Sequence, residues 1–360
     1  YEIQASDWSS DVCSSDLGER FVVRQVKGVN TVALSSAGDM SVDGLVETAG
    51  PLTLNAGGKL DLTRNADLHT STSDALVRAD ALFMADDGSK AARIRADLGR
   101  VDVETRGDAT ITGIESGRDS ADAVRVVSRE GQIKDAGDMR LDVVAKAGSN
   151  SGAELQAVQG VGVGNALDVD LNLLRGATNG GFELADVNSL HVLEVRAGDY
   201  IRLEARNGDL AGVTVAADGK GSSSDKSIVV MASRDVSFES LTGRDDVLVT
   251  AGRDVKLGST NAGRDVEVEA KQDIALATTD AGRDILLKSG RHTEAKTTTA
   301  AGSLTANAGD TLTLGHAQTK GDQMLTAQGD LSADALESTG GVIVASSEAG
   351  TLKSGTTEVG

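Results

Sequence analysis

The sequence predicts an all-β protein, a parallel β-helix whose coils are about 19–20 residues long. Three observations lead to this fold class. Aspartate-containing markers recur about every 19 residues, short runs of alternating apolar residues follow them, and aromatic residues make up only 2% of the chain. A core that is one side chain deep has little room for aromatic rings, so the composition agrees with the repeat.

The composition also limits the class of protein. The 360 residues include 35 Lys and Arg against 55 Asp and Glu, which gives a formal net charge of −20. This charge repels nucleic acid and anionic membrane surfaces, so we expect neither as a partner. No apolar stretch approaches the roughly 18 residues of a membrane span. The apolar fraction of 39% is too high for a disordered polar tract.

The first seventeen residues differ from the rest of the chain. Residues 1–17 contain the only tryptophan and the only cysteine, Trp8 and Cys13. They resemble a translated sequencing adapter, so we interpret them as a non-native or disordered segment, with a genuine polar tail as the alternative. They lack the basic start and apolar run of a signal peptide. Residues 18–360 contain no cysteine, which excludes disulfides and thiolate chemistry there.

Gly-Arg-Asp and Gly-Asp sequences carry the internal repeat. Gly-Arg-Asp begins at five positions, which are Gly117, Gly243, Gly252, Gly263 and Gly282. Six aspartates of the most regular region, called the marker aspartates below, are Asp235, Asp246, Asp254, Asp265, Asp273 and Asp284. They are spaced alternately by 11 and 8 residues, so every second marker is 19 residues further on. Two short units therefore make one module.

Apolar residues occupy every second position after the markers. Clear runs cover residues 139–143, 201–205, 255–257, 266–270, 274–277 and 312–314. This period of two is typical of a strand with one buried face. We expect strands of about three to five residues, which are too short to stand alone as hairpins. We therefore predict that equivalent strands of successive modules stack in parallel around a narrow interior of Val, Leu, Ile and Ala.

The marker residues suggest how the corners are built. Gly permits the positive φ of a tight turn, and Asp can accept a hydrogen bond from the backbone two residues on. Stacked aspartates form a column of like charge that the neighbouring Arg partly neutralises. An exposed ion pair adds little stability, so we expect these pairs mainly to control register.

We expect residues 18–360 to form one repeat domain, with looser repeats over 18–219 and regular repeats over 227–340. Two Gly- and Ser-rich stretches, residues 146–154 and 216–227, predict loops. Residues 160–164 (GVGVG) lack the Lys-Ser/Thr of a phosphate-binding loop and the spacing of a dinucleotide-binding loop. They predict a strand and a turn instead.

The sequence offers no candidate catalytic residue, metal site or cofactor. The four histidines, His69, His191, His292 and His316, occur singly and have no partner at ligand spacing. The calcium-binding pattern GGxGxDxUx is absent, although weak calcium binding by the acidic columns stays an open alternative. A β-helical polysaccharide lyase or hydrolase is an alternative class of function. Because acidic residues occur in every module, no single catalytic pair stands out.

The module Ala-Gly-Arg-Asp followed by alternating apolar residues, as at residues 251–257, 262–268 and 281–287, resembles the haemagglutinin repeats of large bacterial exoproteins. These include filamentous haemagglutinin adhesins and contact-dependent growth-inhibition exoproteins. The resemblance is strongest over residues 227–340 and looser over 18–219. It implies a right-handed parallel β-helix that is secreted by the two-partner route. The chain lacks the family's Asn-Pro-Asn-Gly-type secretion motif and its Val-Glu-Asn-Asn toxin boundary, so we expect a fragment that lies between those ends.

The resemblance also implies a function. We expect a secreted shaft on the bacterial cell surface, outside the outer membrane, that contacts other cells or matrix. Its implied partners are an outer-membrane two-partner secretion transporter and a receptor on a host or neighbouring cell. The absence of cysteine from residues 18–360 agrees with passage of an unfolded chain through a pore. A shaft of a toxin-delivery exoprotein is the alternative within the family. The resemblance implies neither an enzyme nor a cofactor.

Overall fold

A computed structural model describes residues 2–8, 13–15, 21–137, 140–219 and 226–360. The described part of the chain is all-β, and its parallel strands stack as a β-solenoid of about 16 turns with coils of about 20 residues. The predicted fold class is therefore confirmed. The chain divides into two compact units, residues 1–190 and 191–360.

The strands of the first unit are β1 (Glu2–Trp8), β2 (Cys13–Ser15), β3 (Phe21–Gly28), β4 (Val32–Ser36), β5 (Met40–Val42), β6 (Leu45–Thr48), β7 (Leu52–Ala56), β8 (Lys59–Leu62), β9 (Asp67–Thr70), β10 (Ala75–Ala79), β11 (Ala81–Met84), β12 (Arg93–Ala96), β13 (Val101–Thr105), β14 (Ala109–Ile111), β15 (Ile114–Ser116), β16 (Val124–Ser128), β17 (Gln132–Asp135), β18 (Val143–Ala145), β19 (Gly152–Ala157), β20 (Gly160–Val161), β21 (Leu167–Leu171), β22 (Leu173–Thr178) and β23 (Gly181–Asp186). The remaining strands are β24 (Leu190–Ala197), β25 (Ile201–Ala205), β26 (Leu210–Ala217), β27 (Lys226–Ala232), β28 (Val236–Gly243), β29 (Asp246–Ala251), β30 (Val255–Ala262), β31 (Val266–Ala270), β32 (Ile274–Ala281), β33 (Ile285–Ser289), β34 (Thr293–Ala300), β35 (Leu304–Ala308), β36 (Leu312–Thr319), β37 (Gln323–Ala327), β38 (Leu331–Ser338), β39 (Ile343–Ser347) and β40 (Leu352–Val359).

Most coils of the first unit contain three short strands, and the coils vary in length. The successive register partners along one face are Val32, Leu52, Ala75, Val101, Val124, Ala153 and Leu174. The steps between these positions are 20, 23, 26, 23, 29 and 21 residues. The extra residues form turns outside the strands, which explains why the sequence repeat is looser here.

The coils of the second unit contain two strands, and most are uniform in length. Along its longer strands the register partners are Val236, Val255, Ile274, Thr293, Leu312 and Leu331. Each of these residues lies 19 positions after the previous one. The two marker spacings now have a structural meaning. The 11-residue step holds an eight-residue strand and a turn, and the 8-residue step holds a five-residue strand and a turn.

The longer strands have eight residues rather than the predicted three to five, and the alternation of buried and outward residues is interrupted at the middle of each one. In β30 the buried residues are Val255, Leu257, Thr260 and Ala262, so two outward residues follow each other at the middle of the strand. The register with β32 also skips one position there. The break in alternation hid the second half of the strand from a search for period two.

The interior is mostly apolar, as predicted, but it also admits polar side chains. Val268 is fully buried between Val249 and Leu287, its register partners on β29 and β33. Gln323 is also fully buried, and its Nε2 donates to the carbonyl oxygen of Glu337 at 2.7 Å. In the longer strands Thr260, Thr279 and Thr298 form an inward column with exposures of 1%.

The corner glycines are required by close packing between coils rather than by positive φ. Positive φ occurs at Gly88, Gly113, Gly160, Gly162 and Gly164, none of which is a Gly-Arg-Asp glycine. A Cβ on Gly263 would lie 1.8 Å from the carbonyl oxygen of Arg244, and one on Gly252 would lie 1.9 Å from that of Ser233. The predicted role of these glycines is therefore wrong, because stacked backbones leave no space for a side chain.

Three local expectations have separate outcomes. The stretch 146–154 forms a turn until β19 begins at Gly152, and the 160–164 stretch forms strand β20 followed by a turn, as predicted. In the predicted run at 139–143, residues 140–142 are not in a strand, since β18 begins only at Val143. Met139 and half of the 216–227 stretch, residues 220–225, lie outside the described residues. Both ends of that predicted loop lie in strands, since β26 ends at Ala217 and β27 begins at Lys226.

The structure describes residues 2–8 and 13–15 of the segment 1–17, and the interpretation of that segment stays a prediction. Within it, β1 pairs in parallel with β3, and β2 pairs in parallel with β4.

The close approach at the corners leads to a first prediction. Gly263→Ala forces a methyl group against the Arg244 carbonyl, so we expect it to lower the free energy of unfolding by about 1–3 kcal/mol. Gly38→Ala is the control, because a Cβ there meets nothing within 4 Å. Thermal melting of both variants of the full chain checks this. Equal melting temperatures for the two variants would contradict the packing role.

Candidate functional site

The marker aspartates connect each coil to the next one. The Oδ1 atom of Asp265 accepts a hydrogen bond from the backbone N–H of Asp284 at 3.2 Å, 19 residues further on. Asp235 binds the N–H of Asp254 in the same way, and Asp254 binds that of Asp273. The predicted bond to the backbone two residues on is wrong for these aspartates. It occurs instead at Asp135 and Asp186 of the first unit.

The corner arginines face the aspartate of the preceding coil. Arg264 donates from Nε and Nη2 to the two carboxylate oxygens of Asp246, at 3.0 and 2.9 Å. Arg283 binds Asp265 with the same two nitrogens, and this hydrogen bond is the main reason that the pKa of Asp265 lies below its ordinary value. The columns of like charge are thus interleaved with arginine, as the sequence suggested.

One corner column changes its chemistry part of the way along. His292 and Thr311 take the positions that aspartates hold in the preceding coils, and His292 Nδ1 lies 2.8 Å from Thr311 Oγ1. A polar link between coils is therefore kept without a carboxylate. The corners are repetitive and paired throughout, which suits a structural role better than a binding site.

The first unit contains a buried carboxyl group, that of Asp142, which the sequence pattern did not reveal. Asp142 is fully buried, and its Oδ2 accepts from the N–H of Asp168 at 2.9 Å. Burial first, and then the neighbouring charge of Asp135, raises the pKa of Asp142 to about 10. The protonated Asp142 carboxyl can donate to Asp135, whose Oδ2 also accepts from Asn165 at 2.5 Å. Asp142 is shielded from solvent, whereas Asp135 is only half-buried.

A second buried carboxyl of this unit is bonded differently. Asp186 accepts from the N–H of Leu171 with one oxygen and from that of Asn188 with the other, at 2.8 and 2.7 Å. Burial raises its pKa to about 6. In the described residues no group of three or more His, Cys, Asp or Glu side chains is arranged to hold a metal ion.

The second unit carries a groove on the outer face of its longer strands, with a volume of about 570 Å³. The residues that line it include three small ones, Gly258, Ala275 and Ala277, and four charged ones, Glu239, Lys256, Glu294 and Lys296. His191 also lines it. The bend in the strands places two outward residues in succession here, and small side chains at these positions leave the depression open.

The geometry of this groove does not suit glycoside hydrolysis. Glu239 and Glu294 lie on β28 and β34, three strand spacings or about 14 Å apart. Paired catalytic carboxylates need separations of about 5–9.5 Å. The groove is instead a shallow surface of mixed charge.

The remaining histidines lie on separate coils and contact different acidic groups. His69 Nε2 lies 2.9 Å from Asp97 Oδ2, and His316 Nδ1 lies 4.0 Å from Glu337 Oε1. Among the described residues no helix has the length and apolar character that a membrane crossing requires.

Comparison with known proteins gives no relative: no protein-family model, no curated protein and no solved structure matches the chain.

The corner contacts lead to a second prediction. Asp265→Ala removes the acceptor of the Asp284 N–H, so we expect it to lower the free energy of unfolding by about 1 kcal/mol. Arg283→Gln removes only an exposed ion pair, so we expect almost no change. Urea unfolding of both variants checks this. A loss with Arg283→Gln as large as that with Asp265→Ala would mean that the ion pair, not the backbone contact, stabilises the corner.

The buried carboxyls lead to a third prediction, on pH. Because the pKa of Asp142 is raised on folding, its contribution to stability is complete below pH 4 and decreases as the pH rises towards 10. Asparagine keeps the same shape, one acceptor for the Asp168 N–H and a donor for Asp135. We therefore expect Asp142→Asn to gain stability over the wild type as the pH rises, by about 4 kcal/mol between pH 4 and 7.

The control for this prediction is Asp186→Asn, measured over the same pH range. Asparagine has one carbonyl oxygen for the two N–H groups that Asp186 accepts, so this variant loses a hydrogen bond. Its stability relative to the wild type should rise only between pH 4 and about 6. A pH-independent difference for Asp142→Asn would show that the Asp142 carboxyl is ionised in the folded protein.

Proposed function

We propose that this chain is the haemagglutinin-repeat shaft of a secreted bacterial exoprotein, displayed at the cell surface outside the outer membrane. On this proposal its role is contact with other cells or matrix. The observation that carries the proposal is the run of uniform 19-residue coils whose Gly-Arg-Asp corners link each coil to the next. A scaffold of this kind repeats one structural unit without building a recognisable reaction centre.

The lack of cysteine supports secretion in an unfolded state. Residues 18–360 contain no thiol, so no disulfide can form before passage through a transporter. Stability rests instead on contacts between neighbouring coils, which can form one after another as the chain emerges. Delivery of a toxin by the same shaft would be a variant of this function.

Secretion can be tested with a cross-coil disulfide. Glu269 and Lys288 are register partners on β31 and β33, and both are exposed. In a Cys13→Ser background, the chain is fused behind the secretion domain of a two-partner system and expressed with its transporter. We expect the chain in the medium, and we expect Glu269→Cys with Lys288→Cys to be retained unless reductant is present. The single-cysteine variants are the controls. Retention of the chain without any cysteine would contradict the proposed route.

Adhesion is tested separately, on cells that do not display the chain. Beads coated with the purified chain should bind such cells in a saturable way, and free chain should compete. Beads coated with a β-solenoid enzyme of similar charge are the control. Binding no greater than that of the control beads, on epithelial cells and on bacteria alike, would contradict the adhesive role.

A further inference from the structure

The groove of the second unit differs from the corners in having charges without partners. Among the described contacts, Glu239, Lys256, Glu294 and Lys296 make no ion pair within 4.0 Å and no side-chain hydrogen bond, although all four are exposed. The arginines Arg264, Arg283 and Arg291, in contrast, each bind an aspartate of the neighbouring coil. The groove charges are therefore available to a partner.

These charges form a defined pattern along the coils. Glu239, Gly258, Ala277 and Lys296 occupy equivalent positions on β28, β30, β32 and β34, each 19 residues after the last. The order in this column is negative, small, small, positive. In the neighbouring column, Lys256, Ala275 and Glu294 are successive register partners. Along the coils the first column therefore runs from negative to positive, and the second column runs from positive to negative.

A ligand of one charge sign does not fit this pattern. An anionic polymer along the groove would meet the two lysines favourably, but it would be repelled by the two glutamates. A cationic segment would be attracted by the two glutamates but repelled by the two lysines. The matching partner carries both signs in the reverse order, with small residues between them.

We propose that the groove binds the same groove of a second copy of this chain, face to face and with the coils running in opposite directions. The two-fold axis of such a pair lies parallel to the strands, so it keeps each position along a strand and reverses the order of the coils. With the axis between β30 and β32, Glu239 faces Lys296 of the second copy, and Lys296 faces Glu239. The small residues Gly258 and Ala277 face each other.

The second column is compatible with this arrangement. Lys256 faces Ala275 of the second copy and lies one strand spacing, about 4.8 Å, from Glu294. A lysine side chain spans that distance. No two like charges face each other in these columns. Two copies that ran in the same direction would pair only Glu294 with Lys296 and would leave Glu239 opposite Ser237.

The net charge of −20 opposes any association between copies, so ionic strength matters. Screening reduces the long-range repulsion at physiological salt, while pairs that are in contact are screened less. We therefore expect a weak dimer at about 0.15 M salt. The proposal does not depend on secretion or on display at the cell surface.

Sedimentation velocity of the full chain in reductant tests this across micromolar to submillimolar concentrations. The wild type should dimerise, and Lys296→Glu or Glu239→Lys should each raise the dissociation constant at least about tenfold, because each change places like charges opposite each other. The controls are Lys288→Glu and Glu269→Lys, which change the net charge equally at exposed positions of the shorter strands. These controls should leave the dissociation constant nearly unchanged.

Combining the two charge reversals tests the relative orientation of the two copies in the dimer. An equimolar mixture of the Lys296→Glu and Glu239→Lys variants should dimerise again, and so should the chain that carries both changes, because each restores two opposite-charge pairs. A wild type that stays monomeric at all concentrations would overturn the proposal, even if it bound an acidic polysaccharide. So would equal weakening by the control variants, or failure of both rescues.

Discussion

The spacing of about 4.8 Å between adjacent coils is the constraint on which the rest of this structure depends. Backbone hydrogen bonds between parallel strands set this distance, and every corner must respect it as well. At Gly263 it brings one backbone so close to the next that a Cβ would lie 1.8 Å from the carbonyl oxygen of Arg244. It also brings a carboxylate within reach of an N–H group one coil further on, as with Asp265 and Asp284. At Gly263 and Asp265 one distance accounts for both residues, whereas Lys271 takes the equivalent place of the glycine before Asp273.

Much of the fold could be predicted because coils of one length in the structure produce a repeat of one length in the sequence. The alternating 11- and 8-residue steps anticipated two strands per coil. The bend at Gly258 was missed because two outward residues in succession interrupt the alternation. The partner of Asp265 was also missed, since local turn chemistry concerns residues two positions away and the actual donor is 19 positions away. Asp142 was assigned to an outward position, but a turn rather than a strand carries it into the interior.

The candidate site was less predictable than the fold, and for a different reason. A groove on a solenoid is formed by residues that share a position in successive coils, so Glu239 and Lys296 become neighbours on one face only after the coil length is known. Neither residue stands out in its own segment. The two kinds of surface are nevertheless distinct. Several corners repeat the same Arg–Asp contact, as at Arg264 and Arg283, whereas the groove varies from coil to coil and keeps its charges exposed.

Uniform register also has a genetic consequence. Between Val236 and Leu331 every coil has the same length and pairs with its neighbours in the same register. Removing or duplicating one whole coil joins strand to equivalent strand and corner to equivalent corner. Recombination between the similar repeats of a gene produces such changes in whole units. This part of the chain can therefore change its length by steps of one coil while each remaining coil keeps its own packing, which a globular core of fixed size does not allow.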